Sequence, residues 1–388
     1  MQEEEERRAH PGSLRLFAWI VLLFVAWRGS LFVLDFVGAS LTFERSPNPY
    51  QSGFRAFPDH WYLDAWFRWD AKWYKRIAEE GYRWQEGEQS SVAFFPLFPY
   101  LARYLGKIVG NHLIAGLILS NTCTLFALYY MFRLGVSRLG EAKAKSALIF
   151  LLIFPGSFFF SSYYPEGLFL LATCASTCSF FERRFFLAGT WGLLATLTRP
   201  TGILLFLALV AGHVYDSWKQ RQKIRGEALW LALIPAGLLL YMLFLYQQFG
   251  DPLVFARAQA GWGRSAQFPL ASLFEALARV NYRFPRSSTN MHALVEALCA
   301  LSFLIVSILM IRRFHPTLWL IVMLGVLVPL TSGGVMSMVR HASVLFPVFY
   351  YVADVTEDRP LVARFAVFVS TFLLCVYNLR FVNWYWAG

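Results

Sequence analysis

Eleven apolar runs, most of them bounded by basic clusters, constrain this chain more than any other feature. They fall at 14–37, 111–133, 146–162, 165–181, 185–199, 201–216, 228–248, 291–311, 317–331, 341–354 and 361–382. A helix crossing a bilayer needs about 20 apolar residues, fewer where it is broken or buried among other helices. The runs therefore predict an all-α polytopic membrane protein with about 11 transmembrane helices, residues 1–388 forming one membrane domain. Composition agrees, because 57% hydrophobic and 15% charged residues leave too little polar surface for a soluble domain of 388 residues. There is no internal repeat and no inverted pair of broken helices of the transporter kind.

The net charge of +11 is spread over short clusters between the runs, so the chain lacks the contiguous basic face that nucleic-acid binding requires. Arg7/Arg8, Arg133–Lys145, Arg183/Arg184, Lys219–Arg225, Arg312/Arg313 and Arg359–Arg364 are expected to share the cytoplasmic side. They do so only if 185–216 crosses twice, breaking at TRPTG (198–202). Residues 38–110, residues 249–290 and the turns SSYYPE (161–166) and TSGGVMSMVRH (331–341) then lie on the extracytoplasmic face. The polar start MQEEEERRAHPGS leads into the first run without a small-residue cleavage site, which reads as a retained span rather than a signal peptide. All five cysteines sit inside apolar runs without a CxxC pair and read as packing residues, with neither a disulfide framework nor a metal site.

Loops are where function usually sits, and the first outer loop contains FRWDAKWYKRIAEEGY (67–82). Wound at about 100° per residue, this stretch puts Trp66, Trp73, Tyr74 and Ile77 on one face and Lys72, Lys75, Arg76 and Glu79 on the other. Asp70 points along the centre of the aromatic face. A carboxylate buried there needs hydrogen-bond donors or a task, and a partly desolvated carboxylate beside a cleft suits a general base. This stretch and SVAFFPLFPYLARYLG (91–106) are expected to form interfacial helices.

Other polar residues stand at the outer ends of the runs. Glu166 opens a span after Pro165, as Pro at the first helical position and an acid in the first turn would. Arg199 at the TRPTG break is either an interfacial snorkeller or a phosphate ligand. Arg340 and His341 follow a Gly-rich turn, where they suit an anionic group or a structural ion pair. The second loop, FGDPLVFARAQAGWGR (249–264), offers Asp251, Gln259, Trp262 and Arg264, for stacking on sugar rings or for anchoring at the interface. Arg28 and Asp35 in the first span read as structural partners of each other or of another helix. The chain has no Walker loop, no GxGxxG after a strand, no GxSxG, no HExxH and no DxD. A nucleotide-sugar donor commonly uses a metal to neutralise its diphosphate, whereas one or two arginines suffice for a lipid monophosphate.

RWDAKWYKRIAEEGY followed by AFFPLFP resembles the signature of the PIG-V-like mannosyltransferases, polytopic enzymes of the GT-C superfamily. SSYYPEGLF, TRPTG, FGDPLVFARAQAGW and SMVRHASVLFP resemble later blocks in the same order, covering about residues 66 to 350. The chain departs from the pattern at His341, where tyrosine is expected. The resemblance implies a GT-C fold and inverting transfer of a sugar, typically mannose, from a polyprenyl- or dolichyl-phosphate donor on the extracytoplasmic face. It places the catalytic acid of the first outer loop at Asp70, and it makes Arg199, Arg340 and His341 candidates to hold the donor phosphate. Trp69, Lys72, Trp73, Tyr164, Glu166, Gln259 and Trp262 are the candidate substrate contacts. No metal or other cofactor is expected, and the acceptor is a glycolipid, a glycan or a protein. The compact length points to a bacterial or archaeal cell membrane. A lipid or sugar transporter or flippase would also explain the spans and the intramembrane charges. It would leave the two long aromatic outer loops unexplained. A scaffold with the fold but no activity is the third possibility.

Overall fold

The computed structural model of the chain describes residues 13–41, 55–221, 223, 226–278 and 288–387. The cluster Arg7/Arg8, Arg225 and parts of both outer loops (42–54 and 279–287) lie outside the described residues. Among the described residues every regular element is helical. The first long helix is α1 (Ser13–Leu41), followed by three outer-loop helices, α2 (Trp61–Asp64), α3 (Ala71–Glu80) and α4 (Leu97–Val109). Then come α5 (His112–Leu139), α6 (Glu141–Leu152), α7 (Glu166–Phe181), α8 (Phe185–Thr198), α9 (Leu204–Lys219) and α10 (Leu233–Phe249). The second loop carries α11 (Val254–Arg257) and α12 (Pro269–Ala278). The chain closes with α13 (Ser288–Met310), α14 (Pro316–Leu330), α15 (Met338–Ser343), α16 (Pro347–Thr356) and α17 (Pro360–Val382).

Among the described residues six helices are long and apolar enough to cross a membrane: Arg15–Leu41, His112–Leu139, Pro200–Lys219, Gly226–Phe249, His292–Met310 and Pro360–Val382. The expected short spans at 165–181, 185–199 and 317–331 appear as α7, α8 and α14. Two runs are not continuous helices. Within 146–162, α6 stops at Leu152 before Pro155–Gly156, and a 3-10 turn, Ser157–Phe160, follows. Within 341–354, Pro347 opens a separate helix after α15. Proline lacks the N–H and crowds the preceding turn, so each break falls at one. At TRPTG the chain also breaks as the sequence suggests: Arg199 is extended (φ −150°), and a 3-10 turn, Pro200–Ile203, leads into α9.

The expectation for FRWDAKWYKRIAEEGY needs one correction. The helix starts at Ala71, so Trp66 is not on its face; Trp66 is buried in the preceding turn. Between that turn and the helix stands Trp69, whose φ of 53° lies in the left-handed region, and Asp70 follows at the N-cap position of α3. The buried face of α3 is Ala71, Trp73, Tyr74, Ile77 and Ala78.

Helix α7 is the centre of the bundle. Every residue from Glu166 to Phe180 is buried, as a helix apolar on all sides must be when other helices surround it. It packs between α5 and α8, while α9 packs on α14, α6 on α16 and α1 on α17. The two ends of the bundle differ. At one end Arg133 pairs with Glu182 (2.7 Å), Lys143 with Asp354 (2.8 Å) and Glu357 (2.9 Å), and Arg313 with Asp354 (3.2 Å). With Arg184, which also reaches Glu182 (3.7 Å), these pairs gather three of the basic clusters on one side. The SSYYPE turn lies at the other end, tied to α5 by Ser120 Oγ donating to the Tyr164 carbonyl (3.0 Å) and Thr124 Oγ1 to that of Phe160 (3.0 Å).

Gly167 makes this contact possible, since a Cβ there would stand 2.5 Å from Thr124 Oγ1 and 2.6 Å from the Ser120 carbonyl. Gly167→Ala is expected to push α7 from α5 at a cost of about 1–3 kcal/mol. It should therefore unfold at a lower temperature in detergent than the parent; an unchanged unfolding temperature would contradict the packing described.

Candidate active site

The short helix α15 is held by its own backbone: the Val339 N–H donates to Oε2 of Glu296, a buried carboxylate on α13 (2.7 Å). Its Arg340 then reaches two carboxylates from distant parts of the chain. Nε donates to Oε1 of Glu166 (2.5 Å) and Nη1 to Oδ2 of Asp70 (2.6 Å). The guanidinium lies over the rings of Tyr164 (4.5 Å) and Phe159 (5.2 Å), whose faces favour a cation. Arg199, at the TRPTG break, donates from Nη1 to the same Glu166 oxygen (2.9 Å) and from Nη2 to Nδ1 of His341 (2.7 Å). A guanidinium has only donors, so His341 Nδ1 is the acceptor and carries no proton. Glu166 is fully buried, and its charge is tolerable there because two guanidiniums meet it.

Asp70 is held differently. Its N–H donates to the hydroxyl of Tyr164 (3.0 Å), which donates to the Arg68 carbonyl (2.7 Å). Arg68 in turn is fixed by Asp64 (2.9 Å) and the Val382 carbonyl (2.9 Å), and Asp64 accepts from the N–H groups of Ala56 and Phe57. The Asp70 side chain keeps 21% of its surface, against none for Glu166. Arg340 occupies Oδ2, while Oδ1 makes no hydrogen bond with any described residue. One carboxylate is thus enclosed between cations, and the other is partly exposed and held through a single oxygen.

Two further cations face this centre without a carboxylate partner among the described residues. Lys72, the second residue of α3, lies 5.4 Å from the Trp73 ring centre. Burial lowers its pKa, and neighbouring Asp70 opposes that shift. Arg264 in the second loop donates to Gln259 Oε1 (2.8 Å). Burial lowers its pKa too, with Asp70 pulling it up and Arg340 pushing it down. Trp262 packs edge-on against Trp73 and Phe94 (5.7 Å each), joining the second loop to α3. An apolar pocket begins at Arg199 and His341 and runs between α7, α9 and α14, past Phe169, Leu205, Ile321 and Gly325.

The fold therefore brings together Asp70, Glu166, Arg199, Arg340, His341, Tyr164 and Lys72, and sets Trp73, Gln259 and Trp262 at the rim. Trp69 is apart: its indole N–H reaches the Tyr385 carbonyl (3.3 Å), and its ring meets Trp384 and Trp386. Asp35 accepts from Asn378 (2.7 Å), and Arg28 lies on the Trp66 ring (3.8 Å), so both serve packing between α1 and its neighbours. Glu296 and the terminal tryptophans escape a reading of the sequence. Glu296 is one acid in an apolar run, and only the fold shows what it caps; NWYW (383–386), an aromatic cluster closing the last span, is the one local signal. No group of three or more metal-ligating side chains lies among the described residues.

The family model described as mannosyltransferase (PIG-V) matches residues 40–270. No curated protein matches the chain. A crystal structure of ArnT from Cupriavidus metallidurans bound to undecaprenyl phosphate is similar with a TM-score of 0.53 and 15% identity, covering 88% of this chain and 60% of that one. The apo oligosaccharyltransferase from Archaeoglobus fulgidus gives a TM-score of 0.50 and 13% identity, covering 97% of this chain and 57% of that one. The chain thus spans about three-fifths of the length of these structures. At such identities the likeness is one of fold, and that fold is of the GT-C type.

Replacing Glu166 leaves Arg199 and Arg340 buried without their shared counter-charge, a loss of about 3–5 kcal/mol. Glu166→Ala should therefore be markedly less stable to heat in detergent than Arg199→Ala, which leaves Glu166 paired with Arg340. Equal unfolding temperatures for the two variants would contradict the shared role of Glu166.

Proposed function

We propose, from the premise that this chain belongs to the mannosyltransferase (PIG-V) family and is an integral membrane glycosyltransferase, that Asp70 is its general base. The reaction is inverting transfer of a sugar, typically mannose, from a polyprenyl-phosphate donor to an acceptor hydroxyl. The observation that carries the reading is the division between the two carboxylates: Glu166 enclosed by Arg199 and Arg340, Asp70 bound through one oxygen and open through the other.

In this mechanism the acceptor hydroxyl gives its proton to Asp70 Oδ1 as its oxygen attacks the anomeric carbon. The bond from that carbon to the phosphate oxygen breaks on the opposite face, which inverts the configuration. Negative charge then builds on the departing lipid phosphate, where fixed positive groups lower the barrier most. Two carboxylates face four cations, Arg199, Arg340, Lys72 and Arg264, so the centre holds a surplus of positive charge that suits a phosphate monoester. In this reading the cations do what a metal ion does for a nucleotide donor.

The apolar pocket supports a lipid-borne donor, because Arg199 and His341 stand at its polar end and mostly apolar side chains of α7, α9 and α14 line the rest. The similar ArnT structure has undecaprenyl phosphate bound. The basic clusters gathered at the far end of the bundle support an extracytoplasmic site by the positive-inside rule. A flippase would have no use for a partly exposed carboxylate held through a single oxygen.

Asp70→Asn keeps the shape and the contact with Tyr164 but removes the base. It is expected to lower single-turnover transfer from a radiolabelled polyprenyl-phosphate mannose by about 100-fold or more, with donor binding within threefold of the parent (about 0.6 kcal/mol). Transfer at the parental rate would overturn the assignment.

A further inference from the structure

A second cavity, of about 450 Å³, opens beside the far end of α3 and shares only Trp73 with the site described. Trp73, Tyr82 and Trp84 give it aromatic walls, and Arg76, Arg83 and Gln89 give it polar ones. Its wall is preformed. Arg83 N–H donates to Ser91 Oγ (2.8 Å), which donates back to the Arg83 carbonyl (3.1 Å), and Gln85 N–H donates to Ser90 Oγ (3.1 Å). The Tyr82 ring is fixed by its hydroxyl, which donates to the Phe94 carbonyl (2.8 Å).

Its charges balance. Glu80 Oε2 meets both Arg76 Nε (3.3 Å) and Arg83 Nη2 (3.0 Å), and Glu88 Oε1 accepts from Gln85 Nε2 (2.9 Å). Two arginines against two glutamates leave no net charge to attract an ion. What remains is flat aromatic surface edged by unspent guanidinium N–H groups and the Gln89 amide, which accepts and donates. A pyranose has the matching surface: a C–H face for the rings and hydroxyls for the polar edge. Along α3, Asp70 and Arg76 are about 9 Å apart, and Trp73, which lines the cavity, lies between them beside Lys72.

We propose that this cavity binds an uncharged saccharide of the acceptor and leads the reacting hydroxyl toward Asp70. The proposal rests on the reading of Asp70 as the base, but its test does not need turnover. The full-length protein in nanodiscs free of sugar detergents would be titrated with mannobiose, maltotriose, chitotriose and a uronic-acid disaccharide, followed by ligand-observed saturation-transfer NMR. At least one neutral saccharide should bind saturably. Trp84→Ala should weaken that binding about tenfold, and Gln89→Ala, an exposed change with little effect on folding, should weaken it in the same direction. Asp70→Asn and added undecaprenyl phosphate should leave it unchanged. Binding by no neutral saccharide, preference for the charged one, displacement by undecaprenyl phosphate or indifference to Gln89→Ala would each overturn the proposal. A protein that binds saccharide at this cavity but transfers no sugar would overturn the transferase reading and leave the cavity assigned.

Discussion

Arg340 is the interaction on which the rest depends. One side chain at the start of a short helix meets a carboxylate from α7 and another from the N-cap of α3, residues 174 and 270 positions away. Ions in so dry a place are tolerated only when paired with good geometry, because desolvation costs several kcal/mol per ion. The surrounding structure supplies that geometry. Glu296 fixes the backbone before Arg340, Tyr164 and Phe159 lie beneath the guanidinium, and Gly167 lets α7 approach α5 closely enough to bring Glu166 to it.

The chemistry follows from asymmetry within this network. Glu166 neutralises the inner arginines and has no surface, so its part is to hold Arg199 and Arg340 in place. Asp70 shares one of those arginines yet keeps an oxygen free. Lys72 and Arg264 then provide positive charge that no described carboxylate pairs with, near the one of the two acids that keeps exposed surface. On the proposed reading Asp70 serves the acceptor, while Arg199 and His341 stand at the end of the apolar pocket.

Much of this was legible in the sequence, for a physical reason. A polar residue in or beside an apolar run is costly unless it has a purpose, so Asp70, Glu166, Arg199 and Arg340 stood out individually. Their partners did not. That Arg340 would bridge Asp70 and Glu166, or that Arg199 would share Glu166 with it, depends on helix packing across the chain, and no local pattern encodes it. The apolar runs likewise located the helices well, because burial in lipid or bundle sets their length. The breaks are less legible: 146–162 and 341–354 read as single spans, although Pro155 and Pro347 divide them. The start of α3 is hidden because Trp69 adopts a left-handed backbone that its residue type does not announce, and the same turn carries Trp69 off to the terminal tryptophans.

If Asp70 acts by taking a proton from the acceptor, a nucleophile with no proton to lose should not need it. The decisive measurement is therefore transfer to azide by Asp70→Asn, with the anomeric configuration of the product read by NMR. The account predicts that azide restores transfer in the variant and gives a glycosyl azide of configuration opposite to the donor. No rescue by azide, or a product of retained configuration, would contradict it.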